Sequence, residues 1–349
     1  SLGWEGKLYE VAVWKGTLES VSFNNIQTFF ENKYNVTQTP VLYTISDCVA
    51  HYDFTQTEFG GVSNMTVNRD GTGGQPSNGD FVGKVVNLAP GDSSGNKLGA
   101  FIRSHDDDSI SRPTFQTGGV NGNSYLKYSD DATLIPKKML RSGYFTDAAC
   151  SADGGVSSTK FSDLIIDTDA VSIFVVATNS NQNVGSRNMI HISGHTEGDD
   201  TENLFMSYRK TQIGGGGVNA KQNVLVTQAP SGGNLLSLLD NTNMIMSPQL
   251  NAVMGTSTNT ITVFNDGVQL MTGTTSATAR IDMSKEANTG AGVPRFAIGG
   301  ALIGDDGDSS GDCWDGDIYE VIIYNKVLSA SEITIVEDYV AAKYGISIS

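Results

Sequence analysis

Strand-length apolar runs separated by turn residues most constrain what this chain can fold into. The strongest run, residues 170–178, is rich in Val, Ile and Phe, and other segments share its length and pattern. Residues 260–264 and 268–271 flank Asp266-Gly267, a dipeptide that supplies the positive φ angles of a tight hairpin turn. This pattern predicts an all-β antiparallel sandwich with long loops.

The composition agrees with this prediction. Charged residues make up only 17% of the 349 residues, and glycine alone accounts for 40 of them. Much of the remaining polar content is Asn, Ser and Thr, which are weak helix formers because their side chains compete for backbone hydrogen bonds. The sequence therefore disfavours a helix-rich protein.

The charge of the chain limits its partners. A formal net charge of −16 opposes binding to phosphate backbones and to anionic membrane surfaces. No apolar stretch approaches the ~20 residues of a membrane-spanning helix. We expect neither nucleic acid nor membrane as a partner, and the acidity suits an extracellular setting or cation binding.

Three cysteines, Cys48, Cys150 and Cys313, are odd in number and widely spaced. This spacing matches neither a metal-ligand pattern nor a disulfide framework. We interpret them as buried small residues, with a single bridge between two of them as the alternative.

The two ends of the chain resemble each other. Residues 4–36 align without a gap with residues 314–346, at a constant offset of 310 residues. The identical pairs are Trp4/Trp314, Gly6/Gly316, Tyr9/Tyr319, Glu10/Glu320, Val11/Val321, Leu18/Leu328, Lys33/Lys343 and Tyr34/Tyr344. Both copies have the pattern of a strand, a turn and a helix.

The second copy carries clear signals for a short C-terminal helix. Ser329 and Glu332 match a capping box, Val336 and Val340 lie on one helical face, and Gly345 is a stop signal. The first copy has the same apolar face but lacks the capping box.

A glutamate interrupts the apolar strand of each copy, at Glu10 and Glu320. A carboxylate at such a position must be paired or lie at an exposed edge. We expect a hydrogen bond to a neighbouring loop. Asp317, three residues before Glu320, points to the opposite face of a regular strand and is a poor catalytic partner.

Several of these segments resemble the concanavalin A-like lectin/glucanase superfamily in its laminin-G-like branch, bacterial and phage members included. The similar segments are the strand 170–178, the hairpin 262–268, the strand 296–300 and the closing motif 314–332. The resemblance covers most of residues 41–346. It implies a two-sheet antiparallel jelly roll, with roles that range from glycan binding, adhesion and virion surfaces to β-glucan hydrolysis in one branch.

We expect no catalytic residues. The hydrolase branch depends on a Glu-x-Asp-x-x-Glu strand, and the sequence contains none. The nearest carboxylate pair, Asp163 and Asp167, includes no glutamate. We therefore predict that the chain is not an enzyme.

A calcium ion is the only cofactor that the sequence suggests. Asp305, Asp306, Asp308 and Asp312 lie in a short loop rich in the oxygen ligands that Ca²⁺ prefers, without the spacing of an EF-hand. A solvated acidic loop is the alternative. Residues 105–108 form a second acidic cluster, and the histidines, including His51, His191 and His195, suggest no specific site.

Three functions compete. Our main prediction is a non-catalytic structural or adhesive module of a phage or virus particle, of the capsid-decoration or fibre type, whose partners are other copies or neighbouring subunits. The alternative is a carbohydrate-binding lectin domain of a secreted bacterial surface protein that binds cell-surface glycan. A β-glucan hydrolase is third. Each places the chain at a virion surface or outside the cell.

We predict two parts in the chain. Residues 38–349 form the jelly-roll domain, and residues 1–37 form a strand–helix closing element of a preceding or neighbouring module. We expect a strand at 7–14 and a helix at 20–32. A tandem array, an extra strand on the same domain and strand donation to a neighbour remain open explanations.

Overall fold

The computed structural model describes residues 41–59, 62–93, 97, 101–104, 112–128, 138–141, 171–179, 187–196, 199–210, 220–228, 233–239, 249–255, 260–274, 295–300 and 314–348. The predictions for residues 1–37 therefore lie outside the described residues.

Short strands dominate the described chain. They are β1 Cys48–Asp53, β2 Glu58–Phe59, β3 Val62–Ser63, β4 Met65–Thr66, β5 Lys84–Val86, β6 Phe101–Ser104, β7 Thr114–Gln116, β8 Tyr125–Tyr128, β9 Leu140–Arg141, β10 Ser172–Asn179, β11 Arg187–Thr196, β12 Asp199–Lys210, β13 Ala220–Gln228, β14 Gly233–Leu239, β15 Gln249–Gly255, β16 Thr260–Asn265, β17 Val268–Thr274, β18 Arg295–Ile298 and β19 Gly316–Tyr324. Within the described residues, the α-helix α1 Ala330–Tyr344 follows them, and Val41–Thr44 and Val120–Gly122 form 3-10 turns.

The strands form two large antiparallel sheets. The eight-stranded sheet has the order β17-β16-β15-β10-β19-β8-β7, with β1 also paired to β19. The nine-stranded sheet has the order β14-β13-β12-β11-β18-β9-β6-β5-β4, and β2 and β3 form a small ribbon. The predicted all-β two-sheet jelly-roll sandwich with a short C-terminal helix is confirmed.

The main hydrophobic core lies between the two large sheets. Val321 and Ile323 of β19 share it with Phe296 and Ile298 of β18, and all four side chains are buried. The rings of Tyr52 and Phe296 stack across the two sheets, with centroids 5.9 Å apart. Alternation along each strand places these residues on the inner faces.

Helix α1 covers the outer face of the eight-stranded sheet and creates a second core. Val336 and Val340 of the helix are fully buried there, together with Ile322 and Tyr324 of β19. The predicted capping box at Ser329 is present, and Gly345 ends the helix with a left-handed φ of 66°. The sequence prediction for this helix is confirmed.

A β-bulge changes the direction of side chains within β19. Val176 pairs with Glu320, but the next residue of β10, Ala177, pairs with Ile318, so Tyr319 is the extra residue. Ile318 and Val321 belong to the main core, whereas Tyr319 belongs to the core under α1. The bulge therefore places Tyr319 and Glu320 in succession on the helix side.

The predicted hairpin joins β16 and β17. Asp266 and Gly267 have φ angles of 48° and 81°, which confirms the tight turn expected of Asp-Gly. The Asp266 side chain also accepts a hydrogen bond from the backbone N–H of Leu250, at 3.0 Å, and so ties the turn to β15.

Gly267→Ala should destabilise the domain by about 1 kcal/mol. At a positive φ the Cβ atom of alanine clashes with the backbone, whereas glycine has no Cβ atom. Urea unfolding followed by circular dichroism measures the effect. Gln269→Ala, at an exposed position of the same hairpin, should change stability by less than about 0.5 kcal/mol. Equal effects of the two substitutions would contradict the role of the turn.

The apolar residues of 41–54 predict one continuous strand region, and this prediction is only partly correct. Val41–Thr44 form a 3-10 turn, and β1 begins at Cys48. Asp47, with a φ of 66°, separates the two elements.

Among the described residues, no helix has the length and apolar character needed to cross a membrane.

Candidate functional site

Polar side chains, some buried and some half-buried, meet under α1 in a group that we call the Glu320 cluster. It consists of Tyr43, His51, Asp53, Glu320, Tyr339, Lys343 and Tyr344. β1 supplies His51 and Asp53, which alternation places on the helix side of the sheet because Ala50 and Tyr52 enter the main core. The cluster joins β1, β19 and α1.

Glu320 is fully buried at the centre of the cluster. Its Oε1 accepts hydrogen bonds from His51 Nε2 at 2.6 Å and from the Tyr339 hydroxyl at 2.8 Å. Its Oε2 accepts from the Tyr344 hydroxyl at 2.6 Å and from Lys343 Nζ at 3.1 Å. The expected pairing is confirmed, but the partners lie on a strand and a helix and not on a neighbouring loop.

Lys343 supplies the positive charge that the cluster needs. Asp53 and Glu320 stand directly opposite each other on β1 and β19, an arrangement that is unfavourable for two like charges. Lys343 Nζ is 2.9 Å from Asp53 Oδ2 and 3.1 Å from Glu320 Oε2, so one ammonium serves both carboxylates.

The pKa shifts of Glu320 and Lys343 show that each group stabilises the charged form of the other. Burial alone raises the pKa of Glu320, but the Lys343 ammonium and the hydrogen bond from His51 outweigh it and lower the pKa to about 2. Burial likewise lowers the pKa of Lys343, and the charges of Asp53 and Glu320 outweigh it, so the net shift is upward. The ion pair is therefore charged across the neutral range.

Two hydrogen bonds fix the ring of His51. Nε2 faces the Glu320 carboxylate, which only accepts, so Nε2 carries a proton. Nδ1 lies 2.7 Å from the Tyr43 hydroxyl, which donates to it when the ring is neutral. Burial raises the pKa of Tyr43 far above its ordinary value, so this hydroxyl stays protonated.

His51, Asp53 and Glu320 also form the kind of group that can bind a metal, since one ligand atom from each lies within 4.8 Å of the others. Lys343 Nζ, however, already contacts both carboxylates at hydrogen-bond distance. A cation would have to displace this ammonium. The chemistry of the cluster is that of a buried ion pair, which holds the helix on the sheet.

The same geometry removes Asp53 and Glu320 from consideration as a catalytic carboxylate pair. Glycoside hydrolysis needs two carboxyl groups that reach the substrate from both sides of the scissile bond. Here both are buried beneath α1, with exposures of 2% and 0%. Asp163 and Asp167 lie outside the described residues.

The predicted calcium ligands Asp305, Asp306, Asp308 and Asp312 also lie outside the described residues, as do residues 105–108. The backbone of His191 and His195 belongs to β11.

Cys48 is buried with a free thiol, as expected, and Cys150 and Cys313 are outside the described residues. Asn64, in an N-glycosylation sequon, is 1% exposed and donates to the backbone of Asp53, so it cannot carry a glycan.

Five polar residues occupy paired backbone positions across neighbouring strands of the nine-stranded sheet. Arg295 of β18, Ser193 of β11, Asn203 of β12, Thr227 of β13 and Asn234 of β14 stand opposite one another in register across five neighbouring strands. Opposite residues share one face of a sheet. Phe296, the residue after Arg295, is buried in the main core, and successive positions of a strand alternate between the two faces of its sheet.

Two cations and an aromatic ring lie at the other end of this sheet. Lys84 and Arg103 are opposite each other on β5 and β6. Lys84 Nζ and the guanidinium of Arg103 lie 4.1 Å and 4.4 Å from the centroid of the Phe101 ring. Burial and the charge of Arg103 lower the pKa of Lys84.

No protein-family model and no curated protein matches the chain. Solved structures show weak similarity. The CBM40 domain of the Ruminococcus gnavus IT-sialidase, bound to α2,6-sialyllactose, is 15% identical with a TM-score of 0.38, over 49% of this chain and 83% of that chain. The heptameric SAP-like pentraxin from Limulus polyphemus is 12% identical with a TM-score of 0.40, over 62% and 81%.

The NanB sialidase from Streptococcus pneumoniae is 13% identical with a TM-score of 0.35, over 50% of this chain and 25% of that chain. At these identities and scores, the similarities say nothing about what this chain binds. Membership of the laminin-G-like branch stays a prediction.

Sequence reasoning missed His51, Asp53 and Lys343 as partners of Glu320. Two signals were present. His51 and Asp53 are polar residues two apart in an apolar strand, and so share one face. Lys343 and Tyr344 are identical to Lys33 and Tyr34, as Glu320 is to Glu10, which marks these residues as a group.

Proposed function

We propose that this domain is a non-catalytic carbohydrate-binding module, the second of the three functions considered from sequence. The observation that carries the proposal is the register that aligns five polar residues across neighbouring strands, namely Arg295, Ser193, Asn203, Thr227 and Asn234. We assign this row to the face away from the core because it alternates with core positions. Its Ser, Asn and Thr residues are of the types that donate and accept hydrogen bonds without charge, as sugar hydroxyls require. The binding site is this face.

The two outer faces of the sandwich differ in a way that supports this assignment. On the eight-stranded sheet, α1 buries side chains such as Ile322 and Tyr324 and covers the outer face of β19. On the nine-stranded sheet, apolar positions such as Leu204 and Val226 pair in the alternate row, which leaves the polar row to the outer side. Ligand sites combine a formed surface with a few converging polar groups.

The predicted absence of enzymatic activity belongs to the same proposal. Asp53 and Glu320 are held by Lys343 under the helix, so this carboxylate pair performs a structural role. The proposal also keeps the predicted extracellular location, in which glycans are the ligands available at cell surfaces. The virion-surface role stays a separate prediction, which a genome neighbourhood of capsid and tail genes would support.

Asn203→Ala combined with Thr227→Ala should weaken glycan binding by about 10-fold or more, since each lost hydrogen bond contributes about 1 kcal/mol. A glycan array with the purified chain identifies the oligosaccharide, and calorimetry with that sugar measures the affinity of parent and variant.

Gln269→Ala is the matched control, because Gln269 is an exposed polar residue on the hairpin of the other sheet. It should leave the affinity unchanged. A chain that binds no glycan on the array would refute the proposal. Binding that is equal in parent and double variant would refute the choice of face, and release of reducing sugar would identify a hydrolase.

A further inference from the structure

Lys84 and Arg103 form a like-charge pair on the nine-stranded sheet. They stand directly opposite each other on β5 and β6, where like charges repel. Val85 and Ile102, their neighbours along the two strands, are buried in the main core, so alternation places both basic side chains on the face away from it. A repulsive pair lowers stability, and departures of this kind are typical of functional positions.

The half-buried ammonium of Lys84 has room but no counter-ion. Among the described residues, Nζ has neither a hydrogen bond nor an ion pair, and it lies 4.1 Å from the centroid of the Phe101 ring. On another side it faces Gly71, where a Cβ atom would stand only 3.1 Å from Nζ. Glycine at this position therefore leaves space for the ammonium.

Asp70 is the acidic residue whose charge acts on Lys84, and it does not neutralise the pair. Its carboxylate accepts hydrogen bonds from the backbone N–H and the hydroxyl of Thr72, at 2.8 Å and 2.7 Å. Burial and the charge of Arg103 outweigh the charge of Asp70, so the pKa of Lys84 is lowered. An anion bound at Nζ would relieve this repulsion.

The basic pair continues in register toward the row of polar residues that forms the proposed glycan site. Arg103 is also opposite Arg141 of β9, and Arg141 is opposite Ala297 of β18. Ala297 lies two positions after Arg295, with which the polar row begins. Neighbouring strands are about 4.8 Å apart, so β5 lies about 14 Å from β18 along the sheet. An oligosaccharide of a few sugar units can span this distance.

We propose that Lys84 is the contact residue of a subsite for an anionic sugar, one with a carboxylate or sulfate group, on the glycan that the polar row binds. This inference rests on the proposed function and names the class of glycan. Lys84 Nζ donates to the anionic group. Arg103, which is 6% exposed, adds its positive charge from within the sheet face. The Phe101 ring contacts both cations and positions them.

The net charge of −16 is compatible with such a subsite. At physiological ionic strength, charges more than about 8 Å apart are largely screened from each other. One anionic group at Lys84 therefore interacts mainly with the cations beside it. A nucleic acid carries charge along its whole length and would meet the acidic surface elsewhere. The subsite suits a glycan with isolated charges.

A glycan array of ligand pairs that differ only in charge tests the inference. The probes are 3′-sialyllactose and trigalacturonate, each with its methyl ester, and lactose 3′-sulfate with lactose. In at least one pair, the charged member should bind to the full chain about 10-fold or more tightly than the neutral one, and that pair identifies the anion.

The array also separates this inference from the proposed function. Binding of neutral glycans alone, or equal binding within every pair, would overturn the anionic subsite and leave the glycan-binding function standing. A chain that binds no glycan would overturn both.

Lys84→Met removes the charge but keeps the apolar stem next to Phe101. It should weaken binding of the charged ligand by about 10-fold or more, measured by calorimetry, because a hydrogen bond between charged groups is lost. Lys84→Arg keeps a cation and should keep the preference for the charged ligand. Lys127→Met is the matched control, because Lys127 is an exposed lysine of β8 in the other sheet and its loss changes the net charge equally. Equal affinity of Lys84→Met and the parent would overturn the inference.

Melting of the free chain distinguishes a binding role of Lys84 from a structural one. Lys84→Met removes one of two like charges, so its Tm should equal or exceed that of the parent. Differential scanning calorimetry without ligand measures this. A Tm clearly below that of the parent would show that Lys84 stabilises the sheet, and would overturn its assignment as a residue kept for ligand binding.

Discussion

Replacing Lys343 with methionine is expected to lower the free energy of unfolding by about 3–5 kcal/mol, the cost of removing one partner from a buried ion pair. The substitution keeps the apolar stem but leaves Asp53 and Glu320, opposite each other in the ladder, without their shared cation. Urea unfolding at pH 7, followed by circular dichroism, measures the change.

Lys326→Met is the matched control for this prediction. Lys326 also pairs with a glutamate, Glu332, at 2.7 Å, but both side chains are 26% exposed. Surface pairs of this kind contribute about 1 kcal/mol or less. If Lys343→Met costs no more than Lys326→Met, the Glu320 cluster does not depend on its cation.

Neutralising the carboxylates separates charge from packing. In the triple variant Asp53→Asn, Glu320→Gln and Lys343→Met, no uncompensated charge remains in the cluster. A substantial part of the lost stability should return, because a buried ion pair is often replaceable by neutral groups of similar volume. A triple variant less stable than Lys343→Met alone would show that the hydrogen bonds of the carboxylates outweigh the electrostatic cost.

Local sequence motifs predicted the elements that frame the site. The capping box at Ser329 and the Asp266-Gly267 turn each depend on residues within a few positions of one another, so their structural outcome can be read from a short window. The strand of residues 170–178 was predicted for a similar reason, because an apolar run of strand length is typical of a strand buried on both faces.

The Glu320 cluster could not be predicted in the same way. The bond between His51 and Glu320 joins residues 269 positions apart, and it depends on the pairing of β1 with β19. The bulge at Tyr319 adds a second difficulty, because it reverses the inside–outside alternation from which the direction of a strand side chain is inferred. Register and bulges are set by the whole sheet.

Acid should weaken the domain through Glu320. The cluster lowers the pKa of Glu320 from its ordinary 4.5 to about 2. A carboxylate with a depressed pKa stabilises the folded state above its unfolded pKa, and this contribution disappears as the pH falls through the folded pKa. We expect a loss of about 3 kcal/mol between pH 5 and pH 2, at about 1.4 kcal/mol per pKa unit. Urea unfolding at several pH values gives the curve.

The Glu320→Gln variant isolates this contribution from those of other acids. It cannot titrate at this position, so the stability difference between parent and variant should shrink as the pH falls from 5 to 2. Glu337→Gln is the contrasting control on α1, because burial raises the pKa of Glu337 and its contribution therefore has the opposite sign. Lys343, whose pKa is raised, keeps its charge throughout this range and loses its contribution only in strong base. A parent–variant difference that stays constant from pH 5 to pH 2 would mean that Glu320 is not held as a carboxylate by Lys343 and His51.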